Sequence, residues 1–294
     1  MNTAISVKGL IKKYKGFTLG PLNLDIEPGI VVGLIGPNGA GKSTAINSMA
    51  GLLRTDGGET HINGGLVSQR EIGWKFDLGY VSDDPVFYER WTGARNLQFL
   101  AQFFPDWSND RAKELARRFD LDLDKKASQL SKGNRMKLYL VSVLARSPRV
   151  MLFDEPTAGL DPVVRSELLD VLWEIMETGK HSVLYSTHIL SDINKIADEL
   201  IFLIDGKIAL RCTKDELLDK WRKLSFVAGR EIENLPGEIS RKRDGNQVMV
   251  ISADSNATVQ KMSALGVVNP EVTPMTIDEI AVAIMKGGNY VERA

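Results

Sequence analysis

The sequence predicts an α/β protein. It should hold a mostly parallel sheet, an antiparallel β subdomain, a helical insert and a small C-terminal α+β appendage. Three observations predict this. Residues 30–35 (Ile-Val-Val-Gly-Leu-Ile) are an unbroken apolar run, the mark of a strand buried on both faces. Residues 150–153 and 182–186 repeat that pattern, and helical stretches separate the runs, as in a parallel sheet. After about Asp219 the character changes, and Asp244-Gly245 marks a hairpin turn.

The elements follow in order. Residues 18–26 with Pro28-Gly29, and later residues 57–64, read as antiparallel hairpins. The 30–35 strand runs into a glycine-rich turn and then a helix from Lys42 to about Ala50. From about 92 to 146, Leu97, Leu100, Ala101, Leu115 and Phe119 recur at helical spacing. Residues 200–204 and 208–210, joined by Asp205-Gly206-Lys207, form a hairpin. In the tail, strands at 238–243 and 247–252 precede helices near 258–265 and 277–285. This divides the chain into residues 1–218, with a helical subdomain at about 92–146, and an accessory domain at 219–294.

Composition excludes several classes. The 294 residues carry 37 Lys+Arg against 38 Asp+Glu, a net charge of -1, which argues against a nucleic-acid-coating protein. One cysteine, Cys212, forbids an intrachain disulfide and fits a cytoplasmic protein. Three scattered histidines add no zinc cluster. The N-terminus lacks a secretory signal, and no apolar run approaches the ~18 residues of a membrane span. Any membrane role therefore runs through a partner that spans it.

The strongest chemical signal is Gly36-Pro37-Asn38-Gly39-Ala40-Gly41-Lys42-Ser43, with Thr44 after it. It matches the phosphate loop of NTPases and stands between a predicted strand and helix, the context that motif needs. Glycines let backbone N–H groups curl around phosphate oxygens, and the helix N-terminus adds partial positive charge. Lys42 is placed to reach the β- and γ-phosphates, and Ser43 to offer a hydroxyl to Mg²⁺. The 150–153 strand ends in Asp154-Glu155. Downstream of a phosphate loop, Asp154 suits the Mg²⁺ shell and Glu155 suits polarising the attacking water.

With these motifs the sequence resembles an ABC transporter nucleotide-binding subunit. Leu130-Ser131-Lys132-Gly133-Asn134 is similar to the family's LSGGQ signature, and Ala158-Gly159-Leu160-Asp161 to its D-loop. Ser186-Thr187-His188 resembles the switch histidine, and Tyr14 the aromatic that stacks on adenine. The motifs stand in the family's order over roughly three-quarters of the chain. The resemblance implies ATP and Mg²⁺ as cofactors and Glu155, His188 and Lys42 as the catalytic set. It implies a head-to-tail pair of cassettes, identical or similar, with Ser131, Lys132, Gly133 and Asn134 meeting the partner's ATP. It implies a separate transmembrane permease, through which this chain sits peripherally on the cytoplasmic face of the plasma (inner) membrane. The single cassette, the LSKG form and the tail resemble the branch serving bacterial drug, peptide and envelope exporters. A soluble ABC ATPase on ribosomes or DNA is the rival. Its ribosomal members carry two cassettes and its repair members a long coiled coil, and neither is present.

Two departures stand out. Lys132 and Asn134 occupy positions usually held by Gly and Gln. Asp83, in Val81-Ser82-Asp83-Asp84-Pro85, stands where the family usually has a Gln contacting Mg²⁺ and water. It is either a shorter metal-shell ligand or a turn residue. Phe87, Tyr88 and Trp91 follow, either as part of a docking groove for the permease or as packing at the base of the helical insert.

Overall fold

The computed structural model describes residues 3–228, 232 and 234–287. In chain order the elements begin with β1 (Ile5–Tyr14), β2 (Phe17–Ile26), β3 (Val31–Ile35), α1 (Lys42–Met49), β4 (Gly57–Ile62) and β5 (Gly65–Leu66). Next come α2 (Trp74–Asp77), β6 (Leu78–Ser82), α3 (Gly93–Ala101), α4 (Asn109–Arg118), α5 (Lys132–Leu144) and β7 (Val150–Asp154). Then follow α6 (Pro162–Met176), β8 (Ser182–Ser186), α7 (Leu190–Ile196), β9 (Glu199–Ile204) and β10 (Lys207–Thr213). Last come α8 (Lys214–Lys220), which crosses into the tail, and then β11 (Arg222–Val227), β12 (Glu238–Asp244), β13 (Gln247–Ser252), α9 (Ser255–Ala264), β14 (Glu271–Pro274) and α10 (Ile277–Gly287).

The central sheet has the order β10-β9-β3-β8-β7-β6, parallel from β9 to β6 with antiparallel β10 at one edge. All five residues of β3, β7 and β8 are buried, as their unbroken apolar character requires. Side chains alternate between its faces. Val32, Leu34 and Leu152 pack with α1 and the antiparallel sheet β2-β1-β4-β5. Val31, Ile35, Met151 and Phe153 pack the opposite face with α5, α6 and α7.

The helical subdomain is α3, α4 and α5, and each helix starts at a hydroxyl cap. Thr92, Ser108 and Ser131 accept from the N–H groups of Arg95, Arg111 and Asn134.

The tail has its own antiparallel sheet, β12-β13-β11-β14, and its own core of Leu224, Phe226, Val248, Val250 and Met262. Its last helix behaves differently. Ile277, Ile280, Ala281 and Ile284 of α10 belong to the main core, as do Leu217 and Trp221.

The register places the site. Leu34 of β3 and Asp154 of β7 both pair with Ser186 of β8, and Ser82 of β6 pairs with Asp154. Four parallel strands thus end at one level. The phosphate loop, His188, Asp154-Glu155 and Asp83 all leave the sheet there. Carboxyl ends of parallel strands are where α/β proteins bind ligands.

Candidate active site

The loop from Gly36 to Gly41 is shaped by steric necessity. A Cβ on Gly36 would lie 2.3 Å from the Leu203 carbonyl oxygen. Gly41 caps α1 at φ +103, a left-handed conformation suited to glycine, with Phe17 and Leu19 packed on it. No side chain caps α1 and its first turn holds no acid, so its N–H groups are left for an anion.

A cleft of ≈ 340 Å³ opens above this helix end. It is lined by Tyr14, Phe17, Pro37, Asn38, Gly39, Gly41, Lys42, Ser43, Thr44 and Glu155. Gly36 and Ala40 stand behind that lining. Ala40 is buried, and the Gly36 carbonyl accepts from Lys42 Nζ at 2.8 Å. Tyr14 is half exposed at the end of β1 and stacks with Phe17, ring centroids 6.5 Å apart. Phe17 was not among the residues singled out in the sequence. The Tyr14↔Phe17 pairing across the two-residue turn was the signal that could have found it.

The floor of the cleft is Asp154. Its Oδ1 accepts from Ser43 Oγ at 3.1 Å and from Ser186 Oγ at 2.8 Å. Ser186 thus holds this carboxylate, a role invisible in the sequence because it depends on pairing β7 with β8. Glu155 follows at φ +54, an uncommon conformation for a non-glycine residue. Its N–H donates to the Ser186 carbonyl at 3.1 Å. That turn aims its carboxylate into the cleft, where Oε1 is 3.7 Å from Lys42 Nζ and Oε2 contacts His188 Nδ1.

Asp83 is exposed at the end of β6, one residue past the Ser82–Asp154 pair. No hydrogen bond or ion pair engages it among the described residues. Nearby, burial and then the Asp154 charge push the Tyr80 phenol up to about 12, and it donates to Asn47 Oδ1 at 2.8 Å. The Tyr80 hydroxyl therefore stays protonated beside Asp154.

The signature segment is not in this cleft. Ser131, Lys132, Gly133 and Asn134 start α5 on the helical subdomain. The Lys132 ammonium lies over Gly159, 2.9 Å from where a Cβ would stand. Asp161 caps α6, accepting from the N–H groups of Val163 and Val164. The aromatics divide. Phe87 is buried edge-on to Tyr139 at 6.2 Å, in the base of the helical subdomain. Tyr88 stays outside, stacked on Trp91 at 4.3 Å. Burial pushes the Cys212 thiol up to about 12, which leaves it without nucleophilic character at neutral pH.

The profile of the ABC transporter family matches residues 19–158, from β2 through the Glu155 turn. Daunorubicin resistance ATP-binding protein DrrA3 of Streptomyces coeruleorubidus is 34% identical over 222 residues, 74% of this chain and 70% of that protein. The chain belongs to the ABC transporter ATP-binding proteins. ABC transporter ATP-binding protein YtrB of Bacillus subtilis is 27% identical over 293 residues, 96% of this chain and 98% of that protein. A solved ATP binding subunit of an ABC transporter superposes with a TM-score of 0.67 at 30% identity, covering 74% of this chain and 92% of that one. This ABC cassette is an ATP-binding and ATP-hydrolysing enzyme, and its fold is that of the family's ATPase domains.

Proposed function

We propose that this cassette powers export through a separate transmembrane permease, closing on ATP as a head-to-tail pair and reopening after hydrolysis. The observation that carries the catalytic part is the Glu155 carboxylate, set over the phosphate loop between Lys42 and His188. Glu155 accepts a proton from water as that water attacks the γ-phosphorus, and the bond to the bridging oxygen of ADP breaks. Lys42 Nζ transfers its donors from the Gly36 and Pro37 carbonyls to the β- and γ-phosphates. His188 holds Glu155 through Nδ1, leaving Nε2 for the γ-phosphate. Tyr14, with Phe17 behind it, supplies a face for adenine.

The donor set fits Mg²⁺. Ser43 Oγ and the buried Asp154 carboxylate are hard oxygen donors, and Mg²⁺ is usually held by one or two carboxylates together with substrate phosphates. When bound, the ion neutralises charge on the β- and γ-phosphate oxygens. Asp83 stands at the same strand level and serves as an outer ligand.

Ser131 and Gly133 act in the partner's site, where the start of α5 presents a hydroxyl and N–H groups to a γ-phosphate. Lys132 adds a cation there. The charge switch is the γ-phosphate, present before hydrolysis and gone after it.

The permease reading rests on an apolar surface. Val86, Tyr88 and Phe103 are 88%, 52% and 57% exposed, beside the buried Phe87 and the ring cluster of Trp91 and Phe99. Among the described residues no helix is long and apolar enough to cross a membrane. Export is supported by the relative named for daunorubicin resistance. The test is sedimentation with isolated membranes of the cell that makes the protein. Wild type should pellet with them, and Tyr88→Asp with Phe103→Asp should stay in the supernatant with ATP affinity unchanged. Equal pelleting of both would remove this surface as the attachment.

A further inference from the structure

Asp192, in the first turn of α7, is fully buried, and a buried carboxylate persists only where partners satisfy it. Its Oδ1 accepts from Arg165 Nε at 2.6 Å. Its Oδ2 accepts from Thr157 Oγ1 at 2.6 Å and from the Tyr185 hydroxyl at 3.2 Å. Thr157 and Tyr185 are themselves buried, and their hydroxyl oxygens lie 3.1 Å apart.

These partners lie on three segments that carry the site. Thr157 is two residues past Glu155, in a turn closed by Ala158 N–H to the Glu155 carbonyl at 3.0 Å. Asp192 is four residues past His188, and the loop leading into α7 is braced by Ile189 N–H to Thr187 Oγ1 at 2.9 Å. Arg165 is one turn past the α6 cap Asp161, to whose carbonyl its N–H donates at 3.0 Å. Arg165 also bonds Ser191 Oγ, so α6 grips α7 at two adjacent residues.

We propose that Asp192 is a positioning residue for ATP hydrolysis, one buried carboxylate that sets the Glu155 turn against the His188 loop and the Asp161 end of α6. The proposal rests on Glu155 as the base and His188 as its holder. Glu155 keeps a left-handed backbone that nothing intrinsic to glutamate favours, so its surroundings must hold it. The charge-assisted bonds that Asp192 accepts from Thr157 and Arg165, both at 2.6 Å, join that turn and α6 to α7. Neither Asp192 nor Thr157 touches the cleft. They act only through where they put Glu155 and His188.

The experiment compares kcat, KM for MgATP and ATP affinity in Thr157→Val, Thr157→Ser and Asp192→Asn, each below its melting temperature. Valine keeps the shape of threonine and the Asp192–Arg165 pair but cannot donate to Oδ2. It should lower kcat by about tenfold or more, with KM and ATP affinity within about twofold, because misplacement by an ångström is felt in the chemical step. Serine restores the donor and should recover most of the rate. Asp192→Asn should fall in kcat as valine does, and if it fails to fold, the threonine pair decides. A purely structural network would lower melting temperature in Thr157→Val while leaving kcat at wild type, and that result overturns the proposal. A kcat loss matched by an equal loss of ATP affinity overturns it too. Glu155→Gln is assayed alongside. Full turnover there would sink the catalytic reading itself, whereas full turnover in Thr157→Val beside an inactive Glu155→Gln sinks only the role of Asp192.

Discussion

Lys42 Nζ stands 3.7 Å from Glu155 Oε1. The cation suited to the phosphates and the carboxylate suited to the water therefore share one wall of the cleft. They should fail differently when removed. In the proposed function Lys42 meets phosphate in the bound ground state, so Lys42→Ala should lose ATP affinity and rate together. A charged hydrogen bond of about 1.5–3 kcal/mol corresponds to roughly ten- to hundredfold in Kd. Titration with ATP checks this, and unchanged affinity would mean that Lys42 does not meet the phosphates.

Asp83 gives a sharper comparison because it departs from the residue usual in the family. As the outer Mg²⁺ ligand proposed above, it would act through its charge and oxygen. Asp83→Ala should then raise the Mg²⁺ needed for half-maximal turnover while ATP affinity is kept. Asp83→Asn should also be damaging, and Asp83→Gln should be tolerated, since its longer amide regains reach. A turn residue would behave otherwise, because Asn and Asp share turn chemistry. ATPase rate against Mg²⁺ concentration separates the two. An asparagine variant equal to wild type at every Mg²⁺ level leaves Asp83 as structure only.

The C-terminal helix ties the tail to the ATPase core. Ile277, Ile280 and Ile284 of α10 are at most 3% exposed and lie in the main cluster with Ile193 and Ile196 of α7. Each such side chain is worth about 1.5–3 kcal/mol when buried. Three of them approach the about 5–15 kcal/mol that holds an ordinary domain together. Deleting residues 276–294 should therefore lower the melting temperature of the ATPase core by many degrees. Calorimetry that finds an unchanged transition would show that α10 contributes little to the core.

The parts of this molecule that could be read from the sequence are those encoded in short contiguous stretches. The phosphate loop is eight successive residues whose glycines and lysine must sit together to wrap a phosphate, so it announces itself. Asp154 and Glu155 are legible as the end of a buried apolar run, and the buried strands β3, β7 and β8 as the runs themselves. What was hidden depends on pairing across the chain. Ser186 meets Asp154 only because β7 and β8 are in parallel register. Phe17 backs Tyr14 only through the hairpin pairing of β1 with β2. The aspartate buried in α7 looks like any polar residue in a short helix, and nothing local says that Arg165 and Thr157 will enclose it. The place of α10 in the main core is equally non-local. Its apolar spacing says that one face is buried, not against what.

In the proposed function, Glu155 is the base of an ATP-hydrolysing site whose binding function is separate from it. Hydrolysis of bound ATP by Glu155→Gln in a single turnover tests this most directly. Glutamine keeps the size and can still face the Lys42 ammonium through its carbonyl, but it cannot accept the water's proton. The rate should be lower by about 10²–10⁴-fold. ATP should bind with near wild-type affinity, and the variant should collect as an ATP-bound dimer on gel filtration. Hydrolysis at the wild-type rate by fully ATP-loaded Glu155→Gln would contradict it.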